Sequence, residues 1–205
     1  FYSQAGNKNL TWETSKKTDF GLNFGLFNDR ITGELGYYKN NIDGLILSVP
    51  QATSTGIPDS SILTNIGSMN NTGYEVTLNA KILSEGAFKW NASVNITTQK
   101  NVVTALDANN SDIIVATSLE KTNIIRVGES IGNFFIVQTG GVNPANGRRI
   151  FYYGDGTAVQ YDHSAPVASR WTKVIDGSVT RAANQAVDAK VSGPALPTYF
   201  GGLSN

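Results

Sequence analysis

The chain has 205 residues, enough for one large domain or two small ones, and its 16 basic residues balance 16 acidic ones. No basic excess or stripe marks it as a nucleic-acid binder, and the absence of cysteine argues against a small disulfide-stapled secreted domain. Only 16% of residues are charged while Gly and Asn reach 21 each, the composition of a turn-rich β-protein. Mean hydropathy is −0.17, which suits a soluble chain and equally a membrane barrel whose polar lumen dilutes the average. No apolar run approaches the ~20 residues of a membrane helix.

Strand periodicity dominates the first half. A first strand is expected from Trp12 to Phe27, with Phe20, Leu22, Phe24 and Leu26 on one face and Asp19, Gly21, Asn23 and Gly25 on the other. A tight polar turn, Asn28-Asp29-Arg30, leads to a second strand from Ile31 to Val49. A Ser/Thr/Pro/Gly-rich loop over 51–71 follows, then a third strand from Thr72 to Leu83, a short turn at Ser84-Glu85-Gly86, and a fourth strand from Phe88 to Ala105. Residues 106–130 are polar around two apolar patches, Ile113-Ile114-Val115 and Ile124-Ile125. Ile131 to Val142 reads as one more β segment. The stretch from Asn143 to Pro197 is irregular and too long for an ordinary connection, with one short helix expected within Arg181–Lys190. The final Tyr199–Asn205 reads as a strand that has just begun. That ending, and an opening Phe1-Tyr2-Ser3 without initiator methionine, are expected to be cuts in a longer polypeptide.

Alternation alone leaves two solvents open, because a soluble sandwich and a membrane barrel both show it. Three features favour the barrel. Short turns and long loops alternate, as they do where short turns sit on one side of a membrane and long loops on the other. The polar faces carry Asn, Ser, Thr and Gly more than Lys and Glu, which suits a lumen. Aromatic residues fall into two sets: Phe24, Phe27, Phe88 and Trp90 beside the short turns, and Trp12, Tyr37, Tyr38 and Tyr74 toward the other strand ends. By parity, most of 143–197 then lies on the long-loop side, outside the cell.

No catalytic constellation is found. The single histidine, His163, adjoins Asp162 and Ser164 in a loop, and adjacency does not make a triad. One histidine without cysteine speaks against zinc, and nucleotide-loop motifs are absent. Sequons at Asn70, Asn91 and Asn95 lie in strand sequence and are not acceptors. The binding candidates are the loop aromatics Tyr152, Tyr153, Tyr161 and Trp171, beside Phe151, with Arg148 and Arg149 as hydrogen-bond donors. They could pack the loop on itself, contact a partner protein or contact a substrate.

Four collinear segments resemble the SusC/RagA-like TonB-dependent outer-membrane transporters. The first holds Asn7, Asn9, Leu10, Trp12 and Glu13, then the Phe27, Asn28 and Arg30 turn, then Tyr37 and Tyr38. The second holds Asn65, Gly67, Asn71, Gly73 and Glu75; the third is Val127-Gly128-Glu129-Ser130-Ile131-Gly132-Asn133-Phe134; the fourth is Pro197-Thr198-Tyr199-Phe200-Gly201-Gly202. The resemblance implies an all-β, antiparallel transmembrane β-barrel fragment, about five strands of a 22-stranded barrel. Residues 1–142 would be barrel strands with turns and loops, 143–197 a long extracellular loop, and 198–205 the start of the next strand. It further implies a TonB-dependent importer of oligosaccharides or peptides, surrounded by outer-membrane lipid and capped by a SusD-like surface lipoprotein. TonB would act through a plug and N-terminal part outside this stretch, so the stretch would not fold alone. Neither enzymatic activity nor a cofactor is implied. Many relatives carry an acidic run in the last large loop that looks like a calcium site. Here only Gly154-Asp155-Gly156 and a distant Asp162 stand there, so no metal site is carried over. A passive porin and a soluble glycan-binding β-sandwich are the alternative readings.

Overall fold

A computed structural model describes residues 5–116 and 121–205; the opening Phe1-Tyr2-Ser3 lies outside them. The strands are β1 (Thr14–Leu26), β2 (Ile31–Asp43), β3 (Ile46–Pro50), β4 (Ser61–Asn65), β5 (Ser68–Leu83), β6 (Trp90–Ala105), β7 (Ile113–Ala116), β8 (Lys121–Ile125), β9 (Asn133–Val137), β10 (Thr139–Val142), β11 (Arg149–Tyr152), β12 (Ala158–Tyr161), β13 (Trp171–Lys173), β14 (Ala189–Val191) and β15 (Tyr199–Ser204). A one-turn helix, α1 (Gln185–Asp188), precedes β14. The chain divides into two compact units, 1–113 with 125–131 and 196–205, and 114–124 with 132–195.

The first unit is built on one five-stranded antiparallel sheet in the order β1-β2-β5-β6-β15. Its register carries the alternation of each strand onto the next. Phe20 opposes Tyr37, Tyr37 opposes Tyr74, Tyr74 opposes Thr98, and Thr98 opposes Tyr199. Two rows on, Leu22 meets Leu35, Leu35 meets Val76, and Val76 meets Ile96. One face is therefore apolar across all five strands, because a side-chain period of two survives unshifted pairing. That face is open: Phe20 is 67% exposed, Leu22 60% and Tyr199 75%. The other face carries Asp19, Asn23, Glu34, Glu75, Thr77, Asn79, Thr97 and Asn95.

Long apolar strands end where the backbone needs special dihedrals. The turn between β1 and β2 holds Phe27, Asn28 and Asp29 at φ 56°, 54° and 59°, and Arg30 N–H closes it onto Phe27 O at 3.3 Å. The second strand stops at Asp43 instead of Val49, because Gly44 takes φ 69° and the chain bends into a separate hairpin. In that hairpin Ile46–Pro50 pairs with Ser61–Asn65, so much of the expected loop over 51–71 is ordered β structure. Conversely, Tyr38 leaves the aromatic set of Tyr37 and Tyr74: it lies on the polar face, opposite Gly73. A small core of Val103, Leu106, Ile113 and Ile125 is packed by Leu47, Ile66, Val127 and Ile131 at the loop end of the sheet.

In the second unit the irregular stretch resolves into short strands. β10, β11, β12 and β13 form one antiparallel meander, and β14, β9, β8 and β7 line up in another sheet. Ile131 to Val142 is two strands in two sheets, not one segment, and Arg181–Lys190 is helical only over Gln185–Asp188. Buried Ile124 and Val159, both 0% exposed, anchor this unit.

Candidate functional site

The meander sorts the candidate aromatics by strand parity. Phe151 and Tyr152 are successive on β11 and face opposite ways. Phe151 pairs across to Val159, and Tyr161 pairs with Trp171. Phe151, Tyr161 and Trp171 thus share one face. The Phe151 and Trp171 ring centroids are 5.4 Å apart at 55°, and those of Tyr161 and Trp171 are 5.1 Å apart at 50°, tilted geometries that aromatic pairs favour. His163 lies at the margin, its ring 6.4 Å from that of Tyr161. Phe151 and Trp171 also wall a largely apolar pocket of about 330 Å³ with Thr122, Ile136, Val137 and Gln185.

The other candidates are engaged elsewhere. Tyr152 lies over Gly140, where a Cβ would meet its ring at 2.8 Å. Tyr153 is 7% exposed; its hydroxyl donates to Arg181 O, and the Arg181 guanidinium sits 3.9 Å above its ring. Arg148 forms an ion pair with Asp162. The Ser164 hydroxyl, with Arg148 adding to it, holds the Asp162 carboxyl below the usual range.

Sequence reasoning missed the centre of this unit. Asp188, 1% exposed, accepts two bonds of 2.6 Å from Arg181 and backbone N–H bonds from Asn184 at 2.8 Å and Gly154 at 3.0 Å. The Arg181 guanidinium first, then the two amides, hold its carboxyl well below the usual carboxylate range against the cost of burial. A single Asp at the end of a four-residue helix carries no sequence signal for that role. The pocket residues Ile136 and Val137 were legible as strand; Gln185 was not legible as a wall of a pocket.

Comparison with known proteins bears on the whole chain. The family described as TonB dependent receptor-like, beta-barrel, matches residues 1–193. This chain belongs to that family. TonB-dependent receptor P3 of Formosa agariphila is 29% identical over 205 residues, covering 97% of this chain and 19% of the relative. TonB-dependent receptor SusC of Bacteroides thetaiotaomicron is 33% identical over 155 residues, covering 72% and 15%. A solved structure of the RagAB peptide transporter superposes with a TM-score of 0.69 at 22% identity, covering 97% of this chain and 20% of that chain; at that identity the likeness is one of fold. The chain thus spans about a fifth of the length of these relatives.

In this TonB-dependent receptor barrel fragment the motif residues act as stitching. Asn7 Nδ2 donates to Leu63 O at 2.9 Å, and Glu13 Oε1 accepts from Ile46 N at 2.7 Å. Asn65 clamps both sides of the seam: its Oδ1 accepts from Thr11 N at 2.6 Å, and its Nδ2 donates to Thr11 O at 2.8 Å and Gly44 O at 2.9 Å. Together they fasten the segment before β1 to the β3–β4 hairpin. Gly67, at φ 89°, offers its carbonyl to Gly44 N and Leu45 N at 3.0 and 3.1 Å. Asn101 donates to Asn71 at 2.6 Å and accepts from Ile131 N at 2.7 Å, tying the 126–131 segment to the polar face of the sheet. Arg30 donates to Ile82 O at 3.2 Å. Apart from the side-chain bond between Asn101 and Asn71, these pairings satisfy backbone groups.

Proposed function

We propose that this chain is part of the wall of a TonB-dependent importer in the outer membrane of a Gram-negative bacterium. The observation that carries the reading is the five-stranded sheet with one unbroken apolar face, one polar face and two open edges. An apolar face this exposed, 67% at Phe20 and 60% at Leu22, is suited to lipid and not to water. Tyr74 and Leu83 bound the apolar stretch of β5. They are nine residues apart, about 30 Å along the strand at ~3.3 Å per residue. At a tilt of ~40° that is about 23 Å of membrane, close to the ~25 Å band of such barrels. Within residues 1–142, β1, β2, β5 and β6 supply wall strands, β15 begins the next strand, and the whole barrel has 22.

Residues 143–197 are an extracellular loop region. There the half-buried aromatic face of Phe151, Tyr161 and Trp171 meets a SusD-like lipoprotein lid or the substrate, while Tyr152, Tyr153 and Arg148 hold that face in shape. The substrate is an oligosaccharide or a peptide, the classes that the family resemblance implies; the RagAB protein that shares this fold is a peptide transporter. TonB couples through a plug and N-terminal part outside this stretch, as the family resemblance implies.

The test is uptake by cells carrying the full-length receptor. Uptake of a labelled oligosaccharide or peptide should stop when the proton gradient is collapsed. Continued uptake would mean a passive pore. Recovery of the receptor in the aqueous phase, folded without detergent, would overturn the membrane assignment itself.

A further inference from the structure

The lipid-facing side carries a charge pattern that neither transport nor barrel closure uses. Just toward the loops from the aromatic row, the same face bears Lys39 and Lys100, each opposite Thr72 of the strand between them. Lys16 lies on β1 opposite Asn41, diagonal to Lys39. Neighbouring strands lie ~4.8 Å apart, so Lys39 and Lys100 stand about 10 Å apart, with Lys16 about 7–8 Å from Lys39 as a diagonal neighbour. All three are exposed, and none forms an ion pair among the described residues. The nearest carboxylate on that face, Asp43, lies diagonal to Lys16 on the side away from the aromatic row. Lys17, by contrast, is on the polar face and is paired with Asp19 at 3.1 Å. At the turn end the charges are mixed: Asp29 and Glu85 accompany Arg30 and Lys89.

Beneath these lysines the face is concave. A groove of about 270 Å³ is lined by Tyr37, Tyr74, Thr72, Thr98 and Lys100, with Gly73 and Gln99 of the same strands. Its floor is aromatic, with the two tyrosine centroids 5.2 Å apart. Thr72, Thr98 and Lys100 among its lining residues carry hydroxyls and an ammonium. We propose that this groove, with Lys39 and Lys16 beside it, binds the phosphate headgroup of a lipid in the loop-side leaflet. The acyl chains would run down the apolar rows below, over Leu35, Val76 and Ile96, and the phosphate would meet the lysines at the membrane surface, where each basic side chain adds attraction for anionic headgroups.

The inference rests on the barrel reading, and its test separates the two. The full-length receptor, purified in detergent, is incubated with monophosphoryl lipid A or the same lipid stripped of its phosphate, and bound lipid is counted by native mass spectrometry. The wild-type receptor should retain the phosphorylated lipid at least tenfold better than the stripped one. The triple variant K16Q/K39Q/K100Q should lose that preference, while K17Q/K81Q, which removes charge from the polar face, should keep it. Heat-modifiable migration on gels verifies that each variant is folded. Equal binding of both lipids by wild-type receptor, an unchanged preference in the triple variant, or displacement by millimolar inorganic phosphate would each overturn the lipid site. A receptor that is soluble without detergent would instead overturn the barrel.

Discussion

At the scale of single residues, small side chains and buried charges decide what the chain tolerates. Gly73 on β5 lies under Tyr38, and a Cβ there would meet the Tyr38 ring at 2.6 Å and collide with Thr98 O. Gly21 has nothing within 4 Å of such a Cβ. Gly73→Ala should therefore cost roughly 1–3 kcal/mol by overpacking, and Gly21→Ala much less. The thermal unfolding midpoint of the detergent-solubilised receptor reads the difference, and equal shifts would refute the close-approach argument. Asp188 yields a pH prediction. Its folded carboxyl titrates below its unfolded value of ~3.9, so its stabilisation is present above that value and fades as pH falls below it. Amide protection of β11 and β12 should drop in wild type below about pH 4. Asp188→Asn should have lost that protection already at pH 7 and show little further change on acidification. Removing the charge strands Arg181 and weakens the bonds from Gly154 and Asn184, a loss of roughly 2–4 kcal/mol. Little of this was legible in the sequence: Gly73 was visible as a motif residue, but its tyrosine cover required the register, and Asp188 gave no sign.

At the scale of elements, parity is the strongest sequence signal and also marks its own limits. Phe20, Leu22, Phe24 and Leu26 define a face unaided, and the observed pairing extends it across β2, β5, β6 and β15. The hairpin after Gly44 was not foreseen, because one glycine at positive φ ends a strand whose residues still alternate. The meander of β10 to β13 was invisible because strands of three or four residues show no period; their pairing comes from turn closure, such as Gly147 N–H onto Asn143 O at 2.8 Å. The same parity explains why Phe151, Tyr152 and Tyr153 cannot form one patch. A paired substitution tests the faces. Leu22→Lys puts a charge at mid-height on the apolar side, at a cost of roughly 2–4 kcal/mol in a bilayer. Asn23→Lys, its neighbour, points to the polar side and should leave folding yield nearly unchanged. Yield of heat-modifiable receptor in the outer-membrane fraction measures both, and similar yields would overturn the assignment of faces.

At the scale of the whole molecule, the decisive property is that the sheet has edges. β1 and β15 each pair on one side only within this chain, leaving rows of backbone N–H and C=O groups unmet. In water such edges template aggregation; in lipid they cost several kcal/mol per unsatisfied group. The apolar face compounds this, since Phe20, Leu22 and Tyr199 are more than half exposed and have no solvent that suits them outside a membrane. The small core of Val103, Leu106, Ile113 and Ile125 offers little to offset either burden. Expressed by itself, the 205-residue chain should therefore collect in insoluble aggregates and fail to give a heat-modifiable species in detergent. The full-length receptor should give one. Supplying the remaining strands as a separate polypeptide during refolding should rescue the fragment by pairing both edges, and rescue should fail if β1 is disrupted by Asn23→Pro, because proline removes a ladder donor and fixes φ. A fragment that folds alone as a monomer in aqueous buffer would show that its apolar face finds cover without lipid, and would return the soluble sandwich as the better reading.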